Sequence, residues 1–508
     1  MSRERTVHAL IQSADPDAIA LAAPERSALG RAALARQVER TQGTLKALGI
    51  RAQDRVALVL PNGPEMAALF LGVSVGAVAA PLNPAYREEE FEFYLSDIEA
   101  NALLIEAGMD SPARAVAARR AMAIIDVETI TEEPAGSYRL LREGEPLPPG
   151  ACEFSGPEDV ALVLHTSGTT SRPKIVPLTH GNLIASAVNI SRTLALRPVD
   201  RCLLLMPLFH IHGLVGALLS SMAAGASLYC PPGFNALKFF AWLEDSAASW
   251  YTAVPTMHQA ILARAERNRE IIGRRRLRFI RSSSASLPPQ VMQALEDIFA
   301  CPVIESYGMT EAAHQMTSNP LPPAPRKPGT VGRAAGTEVA IQSADGRMLP
   351  AGEPGEIVIQ GAGVTLGYAN NAAANAEAFR DGWFRTGDIG FLDAEGYLTI
   401  SGRLKEIINR GGEKIAPREI DEALMDHPAV AQALAFSMPH EKLGEEVAAA
   451  VVLRDGLAVS EGELRGFLAG KLADFKVPRR IVLLPEIPKG PTGKLQRIGL
   501  ARRLGLSA

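Results

Sequence analysis

Short apolar runs alternate with helical segments through the first part of the chain, and this alternation is the strongest constraint on its fold. Residues 31–48 carry apolar side chains at helical spacing and predict an amphipathic helix, while Met66–Ala80 and 87–97 predict two more helices. Two short apolar runs, Val56–Leu60 and Ala102–Glu106, predict buried strands. Strands that alternate with helices form a parallel sheet with both faces covered, so the sequence predicts an α/β fold.

The same alternation resumes after residue 158 and predicts four more strands. They are Cys202–Leu208, Trp250–Val254, Phe279–Arg281 and Val303–Glu305, and each of the last three runs into a polar or aromatic loop. In open α/β sheets, ligands bind beyond the carboxyl ends of the strands. We therefore expect one common site, formed by the loops 166–174, 208–213, 282–287 and 306–319.

The charge balance and the apolar runs argue against several classes of protein. The 508 residues include 52 Lys and Arg against 56 Asp and Glu, and this net charge of −4 argues against nucleic acid as the main partner. The longest apolar run, Met66–Leu82, is interrupted by glycine, serine and proline and falls short of the ~20 residues that a membrane span needs. The N-terminus lacks an apolar signal core, so we expect a cytoplasmic protein.

The cysteines predict neither disulfides nor zinc. None of them has C-x-x-C spacing, and three lie in or beside apolar runs. This arrangement is typical of buried free thiols in a reducing compartment. The four positions are Cys152, Cys202, Cys230 and Cys301.

The sequence changes character near residue 320. Five prolines between 320 and 328 indicate a linker, and from 330 to 400 short alternating runs are separated by turn dipeptides, which predict an all-β segment. After about residue 404 the pattern is again α/β. Pro417 opens a predicted helix, and Ser460 with Glu463 predicts a capping box before another helix.

The stretch 166–174, Thr-Ser-Gly-Thr-Thr-Ser-Arg-Pro-Lys, follows the apolar run Val160–Leu164 and precedes a predicted helix start at Thr179. Its hydroxyls and backbone N–H groups could cradle a phosphate, to which Lys174 adds positive charge. It is not a Walker loop, because proline and isoleucine stand where that motif needs glycine and a hydroxyl residue. On composition alone, a polar surface loop explains these residues equally well.

Two further motifs suggest a nucleotide, and each has a plain structural alternative. In the run 306–311, a tyrosine face could stack on a purine, Thr310 could bind a phosphate oxygen and Glu311 could hold Mg²⁺. The alternative is a surface loop with an incidental acid. Asp388 could accept hydrogen bonds from both hydroxyls of a ribose with Arg403 beside it, or the two residues could form a buried ion pair.

Other motifs are weaker when taken alone. The loop 488–494 is rich in proline and glycine, and its two lysines could be solvated or could neutralise charge in a transition state. His210 and His212 suggest a metal pair, but zinc would need further nitrogen or sulfur ligands and no cysteine lies close in sequence. The chain has no G-x-S-x-G elbow, so a hydrolase triad is unsupported.

Together the motifs resemble those of the acyl- and aryl-CoA synthetases in the adenylate-forming superfamily. The resemblance extends from about Ser27 to Arg497. It implies a large N-terminal adenylation domain over residues 1–403, made of two sheet-based α/β subdomains and a β-barrel-like subdomain at about 325–400. It also implies a small mobile α/β domain over 404–508. The motifs follow the family order, at 166–174, 206–213, 306–311, 386–388, 402–419 and 488–494.

The resemblance implies ATP, Mg²⁺ and coenzyme A as reactants and gives roles to individual residues. Lys494, Glu311 and Thr166 would be catalytic, and Glu311 would bind the metal. Arg410, Gly411 and Gly412 would approach coenzyme A, with Lys405 at the hinge. ATP would contact Thr166, Ser167, Gly168, Thr169, Thr170, Lys174, Ser306, Tyr307, Gly308, Thr310, Asp388 and Arg403.

The implied chemistry has two steps. The carboxylate of an acid attacks the α-phosphorus of ATP and pyrophosphate leaves; the acyl-adenylate then reacts with the thiol of coenzyme A. Mg²⁺ and Lys494 would offset the charge that builds up in the first step. The small domain would present Lys494 first and the Gly411–Gly412 loop second, by rotation at a hinge near Lys405.

Departures from the family pattern indicate a small polar acid. Residues 283–286 replace the usual Gly-Ala-Ala-Pro-like run, and His314 stands where aryl-specific members often have an apolar residue. Beside an apolar acyl tail, each unpaired polar group would cost on the order of 1–3 kcal/mol. The segments 209–213, 281–286 and 310–320 resemble oxalate–CoA ligases, so we expect oxalate. The predicted acyl pocket is His210, His212, His258, Ser283, Ser284 and His314.

Several alternatives stay open at this point. His212, His258 and His314 could be ordinary structural histidines. A medium-chain or aryl acyl-CoA synthetase, and a stand-alone adenylation enzyme that loads a carrier protein, would share the same motifs. A non-catalytic nucleotide-binding regulator would need Lys494 or Glu311 to be missing, and both are present.

Overall fold

The computed structural model describes residues 5–13, 15–166, 173–489 and 495–506. The first part of the chain alternates strands and helices. Its elements are α1 (Val7–Gln12), β1 (Ile19–Ala23), β2 (Arg26–Gly30), α2 (Arg31–Ala47), β3 (Arg55–Val59), α3 (Pro64–Ser74), β4 (Val78–Pro81), α4 (Glu88–Asp97), β5 (Ala102–Glu106), α5 (Pro112–Arg119), β6 (Ala123–Thr129), β7 (Tyr138–Arg142), β8 (Glu145–Pro146), β9 (Val160–His165), β10 (Ile175–Thr179) and α6 (His180–Thr193).

The middle of the chain forms a second α/β unit that includes a π-helix, His212–Leu219. Two single 3₁₀ turns lie at Glu266–Asn268 and Thr310–Ala312. The other elements are β11 (Arg201–Leu203), α7 (Ser220–Ala223), β12 (Ser227–Tyr229), α8 (Phe239–Ser246), β13 (Trp250–Ala253), α9 (Pro255–Ala265), α10 (Arg269–Arg274), β14 (Phe279–Ser282), α11 (Pro289–Phe299), β15 (Val303–Met309), β16 (His314–Ser318) and β17 (Arg333–Ala334).

Two smaller units complete the chain, and a 3₁₀ turn at Asp474–Lys476 lies in the second. The β-rich unit contains β18 (Glu338–Gln342), β19 (Gly355–Gln360), α12 (Ala372–Ala378), β20 (Phe379–Arg380), β21 (Trp383–Leu392) and β22 (Leu398–Arg403). The C-terminal unit contains β23 (Ile408–Arg410), β24 (Glu413–Ile415), α13 (Pro417–Met425), β25 (Val430–His440), β26 (Gly444–Leu453), α14 (Glu461–Ala469), β27 (Arg480–Leu483) and α15 (Leu500–Arg503).

These strands form four sheets. The first has the order β10-β9-β4-β3-β5-β6-β7-β8 and the second the order β17-β16-β15-β14-β13-β11-β12-β1-β2. The third contains β18-β19-β21-β20 with β22 beside β21, and the fourth contains β24-β23-β26-β25 with β27 beside β26. The predicted α/β architecture is confirmed. The predicted domain boundary at 403/404 stays a prediction, although β22 ends at Arg403 and β23 begins only at Ile408.

Buried apolar side chains hold the units together. One continuous core joins the first two sheets, and Leu58 of β3, Phe70 of α3 and Leu218 of the π-helix are fully buried within it. The C-terminal unit has a separate core that includes Leu424 and Leu464. A unit with its own core can move as a body, which suits the expected mobility of this part of the chain.

Parallel pairing aligns the carboxyl ends of β13 and β14 with Glu305 of β15 in the second sheet. Ala253 of β13 lies beside Ser282 of β14, and Ser282 lies beside Glu305 of β15. The segments that follow these three residues therefore lie close together, and they include parts of two of the four predicted loops, 282–287 and 306–319.

Some predicted elements are wrong. The predicted helix Met66–Ala80 ends at Ser74, and Val78–Pro81 is instead strand β4, which pairs with β3. In a continuous apolar run, the spacing of apolar residues does not distinguish a helix from a buried strand. Only pairing with a neighbouring strand then determines which of the two forms. The predicted strand Cys202–Leu208 is limited to β11, and the predicted loop 306–319 largely forms the antiparallel pair β15–β16.

Two further expectations need correction. The 330–400 segment is not all β, because it includes helix α12. All four cysteines are free, as expected, and Cys202, Cys230 and Cys301 are buried, but Cys152 is exposed. None of the described helices has the length and apolar character needed to cross a membrane.

The side chain of His180 accepts a hydrogen bond from helix α1, and it does so as an uncharged ring. It is fully buried at the start of α6, and its Nδ1 accepts a hydrogen bond from the backbone N of Val7 at 3.1 Å. Burial lowers the pKa of His180 from 6.5 to about 4. The folded state therefore favours the uncharged ring.

We expect the protein to lose stability in acid through this residue. Because the pKa is lower in the folded state, the unfolded chain takes up the proton first as the pH falls. The stabilisation is complete above pH 6.5 and is lost towards pH 4, a loss of about 3 kcal/mol. Urea unfolding at pH 7 and pH 4.5 measures it. His180→Asn should reduce the pH slope, and equal slopes in wild type and His180→Asn would contradict the assignment.

Candidate functional site

The stretch 166–174 connects two antiparallel strands of the first sheet. His165 of β9 pairs with Ile175 of β10, and the backbone N of Thr166 donates to the carbonyl O of Lys174 at 2.9 Å. The Nζ atom of Lys174 lies 4.4 Å from the ring centroid of Tyr368. Ser167, Gly168, Thr169 and Thr170 lie outside the described residues, so their phosphate contacts stay predictions.

Glu311 lies close to this stretch and is 6% exposed. Its carboxylate accepts a hydrogen bond from the Tyr368 hydroxyl at 2.9 Å, and burial raises its pKa. Thr310 begins the same 3₁₀ turn. The sequence reasoning missed Tyr368, whose only signal was an aromatic residue that follows a glycine in the β-rich segment.

The predicted ribose site is assembled by strand register. Asp388 of β21 pairs directly with Arg403 of β22, and Arg403 Nε lies 2.8 Å from Asp388 Oδ1. The Tyr307 hydroxyl donates to Asp388 Oδ2. Burial, and next the Asp388 charge, raise the pKa of Tyr307. The predicted ion pair is present, and its carboxylate borders the same cavity as Tyr307.

A cavity of about 660 Å³ lies between the second sheet and the C-terminal unit. Ser284, Ser306, Tyr307, Gly308, Asp388 and Arg403 line one side, and Pro417, Asp421, Leu434, Leu495 and Arg497 line the other. Leu495 directly follows Lys494, which lies outside the described residues. The cavity therefore brings a predicted nucleotide surface together with the chain segment that carries the predicted catalytic lysine.

The predicted coenzyme A contacts do not line this cavity. Arg410 Nε lies 2.6 Å from Glu446 Oε1, and the backbone N of Gly411 donates to Leu443 O at 2.9 Å. Gly411 and Gly412 have positive φ angles of 58° and 103°, which glycine adopts readily. Lys405 lies within the turn that is closed by the hydrogen bond from Glu406 N to Arg403 O, between the third and fourth sheets. Its role as a hinge stays a prediction.

The predicted acyl pocket contains a connected polar network around Arg281. This side chain is fully buried, and its Nη1 lies 3.0 Å from His314 Nε2 and 3.4 Å from His212 Nε2. Its other partners are the side chains of Thr252 and Gln315, at 3.4 and 3.0 Å. Among the described residues no carboxylate contacts the guanidinium, so this buried cation has only neutral partners.

The two imidazoles of the network lie against each other and beside the cavity. The rings of His212 and His314 stack at 4.7 Å with an interplanar angle of 23°. His212 Nδ1 lies 3.0 Å from the Oγ of Ser284, which lines the cavity. Ser284 and His314 have φ angles of 73° and 101°, a strained region for residues with a side chain. Such strain is typical of functional sites.

The other predicted pocket residues make different contacts. Ser283 donates to the carbonyl of Ser306 at 3.0 Å and thereby holds β14 to β15. His258 is fully buried against the hydroxyl of Tyr251 at 3.3 Å, and burial lowers its pKa to about 3. The ring of His210 packs on that of Phe209 at 4.5 Å. Substrate roles for these three residues stay predictions.

The sequence reasoning missed Arg281, Thr252 and Gln315. The available signal was a charged residue inside a strand that is otherwise apolar. A buried arginine needs compensation, so its position in β14 called for partners on neighbouring strands. Those partners come from β13, β16 and the π-helix, and no sequence spacing connects them.

Gly216 makes room for the stacked imidazoles. A Cβ atom at this position would lie 2.7 Å from His314 Nε2 and 3.0 Å from His212 Cδ2. We expect Gly216→Ala to displace both rings, to raise the KM for the acid about 10-fold and to lower stability by about 1–3 kcal/mol, as overpacking does. Gly273→Ala is the matched control, since this helical glycine has open space around it. Gly273→Ala should leave the KM for the acid and the KM for ATP unchanged. If Gly216→Ala also left both unchanged, the expectation would be contradicted.

The comparison with known proteins agrees with this geometry. The chain matches the family model described as AMP-binding enzyme over residues 11–369, and the AMP-binding enzyme C-terminal domain over 419–494. An oxalate–CoA ligase of Arabidopsis thaliana is 46% identical over 490 residues, which cover 95% of each chain. An oxalate–CoA ligase of Saccharomyces cerevisiae is 42% identical over 90% of this chain and 88% of its own length. The crystal structure of ATP-bound MatB from Rhodopseudomonas palustris superimposes with a TM-score of 0.89 at 28% identity, covering 100% of this chain and 99% of that chain.

These matches confirm the expectation of an AMP-forming acid–CoA ligase that uses ATP, Mg²⁺ and coenzyme A. They extend over nearly the whole chain rather than one motif. The two matched regions also follow the order of the units in the structure. The chain therefore belongs to the AMP-binding enzyme family.

Proposed function

We propose that this protein activates a short dicarboxylic acid, with oxalate as the first candidate, and transfers it to coenzyme A through an acyl-adenylate. The observation that carries the proposal is Arg281, a fully buried cation with only neutral partners among the described residues. A buried charge is costly without an opposite charge nearby, so a second carboxylate on the substrate would stabilise it. The two similar oxalate–CoA ligases support this choice of acid.

In the first half-reaction, one carboxylate of the acid attacks the α-phosphorus of ATP and pyrophosphate leaves. Tyr307 holds the adenine, while Asp388 and Arg403 hold the ribose, which fixes the α-phosphorus relative to the acid. Ser284 donates a hydrogen bond to the second carboxylate. The charge of Arg281, behind the two imidazoles, favours an anion at this end of the cavity.

The residues around Glu311 fit a magnesium ion. The carboxylate is buried and burial raises its pKa, so a cation beside it would favour its charged form. Magnesium commonly takes one or two carboxylates and completes its shell with water and substrate phosphates. When bound, it neutralises charge on the phosphates.

In the second half-reaction, the thiol of coenzyme A attacks the acyl carbon and AMP leaves. The Gly411–Gly412 loop approaches the thiol after the C-terminal unit turns near Lys405. The separate apolar core of that unit supports a rigid-body movement. We also place the protein in the cytoplasm, which its four free cysteines support.

Pyrophosphate release with a panel of acids tests the proposed substrate. Oxalate should exceed glyoxylate, which keeps one carboxylate and loses the second charge, by about 100-fold in kcat/KM, since a hydrogen bond to a charged group contributes about 1.5–3 kcal/mol. Malonate and succinate test the length limit, and octanoate and benzoate test the apolar alternatives. Activity with only the last two would overturn the proposal. Thioester formation with free coenzyme A separates a ligase from an enzyme that loads a carrier protein.

A further inference from the structure

The guanidinium of Arg281 restricts where the neighbouring imidazoles can carry their protons. Arginine has only N–H donors, so an atom that forms a hydrogen bond with it must be the acceptor. Its Nη1 lies 3.0 Å from His314 Nε2 and 3.4 Å from His212 Nε2. Both Nε2 atoms therefore present a lone pair, and each ring carries its proton on Nδ1.

Thr252 strengthens this assignment for His212. Its Oγ1 lies 2.6 Å from His212 Nε2 and 3.4 Å from Arg281 Nη1. The hydroxyl accepts a hydrogen bond from the guanidinium and donates its own O–H to the imidazole nitrogen. With an N–H at His212 Nε2, the hydroxyl would accept from both neighbours, so its own proton would have no acceptor among these three side chains, and that N–H would lie beside the Arg281 donor.

The stacked arrangement also keeps both rings neutral. Two imidazolium rings 4.7 Å apart beside a guanidinium would place three positive charges in one buried cluster. The network thus holds one fixed charge, on Arg281, and two neutral imidazoles. Neutral rings with a lone pair on Nε2 have one remaining polar group each, the Nδ1–H.

The direction of the next hydrogen bond follows from this. His212 Nδ1 lies 3.0 Å from Ser284 Oγ, so the imidazole donates and the serine oxygen accepts. The serine proton is then directed away from His212, on a side chain that lines the cavity. With the opposite tautomer, Ser284 would donate to His212 and turn its lone pairs toward an anionic substrate, which would repel it.

We propose that Arg281 is a positioning residue: with Thr252 it fixes both imidazoles as Nδ1–H tautomers and so makes Ser284 a hydrogen-bond donor to the distal carboxylate of the acid. This inference rests on the proposed function, since it assigns the donor that recognises the second carboxylate. His314 Nδ1 lies directly behind Gly308, 3.2 Å from where a Cβ of that cavity-lining residue would be.

Nitrogen NMR of the unmodified protein with ¹⁵N-labelled histidine tests the tautomers directly. At pH 7.5, we expect the signals of His212 and His314, assigned by their loss in single variants, to show a protonated Nδ1 and an unprotonated Nε2. A protonated Nε2 on either ring would overturn the inference. This measurement needs no variant of Arg281, whose removal could prevent folding.

Two isosteric changes provide a kinetic test. Asparagine places its amide near the Nδ1 position of histidine, whereas glutamine places it near Nε2. If the Nδ1 donor matters, His212→Gln should raise the KM for oxalate about 10-fold more than His212→Asn does, with the KM for ATP equal in both. Equal KM values for oxalate in the two variants would argue against the inference.

Arg281→Lys and Arg281→Met extend the kinetic test. Lysine retains a donor and a charge, so it should recover part of the oxalate affinity that methionine loses, again without a change in the KM for ATP. No recovery by lysine in a folded variant would count against the positioning role. A wild-type protein that does not adenylate oxalate would contradict the proposed function, whereas oxalate activity with an Nε2–H tautomer would contradict only this inference.

Discussion

We expect Lys494→Ala to reduce pyrophosphate release by about 100- to 1,000-fold, the effect of removing one group that stabilises transition-state charge. The same variant should still convert a supplied acyl-adenylate to the thioester. The reason is that the lysine would act only while charge builds on the transferring phosphate. Leu495, the next residue, lines the cavity with Tyr307 and Asp388. The residue after the lysine therefore shares a cavity with predicted nucleotide-binding residues, which supports a role for the lysine in the first half-reaction.

Both half-reactions should be measured separately, with ATP and acid in one assay and acyl-adenylate and coenzyme A in the other. Lys489→Ala is the matched control, because Lys489 lies in the same segment and pairs with Glu486 at 2.6 Å. It should leave both rates unchanged. An equal loss of both half-reactions in Lys494→Ala would contradict a lysine that serves one state only.

The second large effect is expected at Asp388. Asp388→Asn keeps the shape of the side chain but removes the charge that contacts Arg403 at 2.8 Å and weakens the acceptor for Tyr307. We expect kcat/KM for ATP to fall about 10- to 100-fold, since hydrogen bonds to charged groups contribute about 1.5–3 kcal/mol. The KM for the acid should change little, because the side chain of Asp388 contacts Tyr307 and Arg403, whereas Ser284 contacts His212.

Asp393→Asn is the control for this change. Asp393 also pairs with a cation, Lys327 at 2.6 Å, but that pair does not line the cavity. It should leave nucleotide kinetics unaltered. A loss that appears mainly as reduced thermal stability of Asp388→Asn, or as a raised KM for the acid, would show that the residue does not hold the ribose.

Local features were predictable because a few neighbouring residues determine them. The capping box of Ser460 and Glu463 is present, with Glu463 N donating to Ser460 Oγ at 3.2 Å. Helix α2 follows the predicted 31–48 segment closely. Hydrogen bonds of this kind join residues three or four positions apart, so the sequence pattern contains both partners.

The sequence by itself determined the α/β class and the order of the motifs, and it predicted the residues of a nucleotide site. Strand β4, the β15–β16 pair and the contact of Tyr368 with Glu311 were decided only by tertiary structure. The same holds for the Arg281 network, whose partners are supplied by three separate segments, β13, β16 and the π-helix. The physical reason is that burial and strand register select partners distant in sequence, whereas spacing along the chain records only near neighbours.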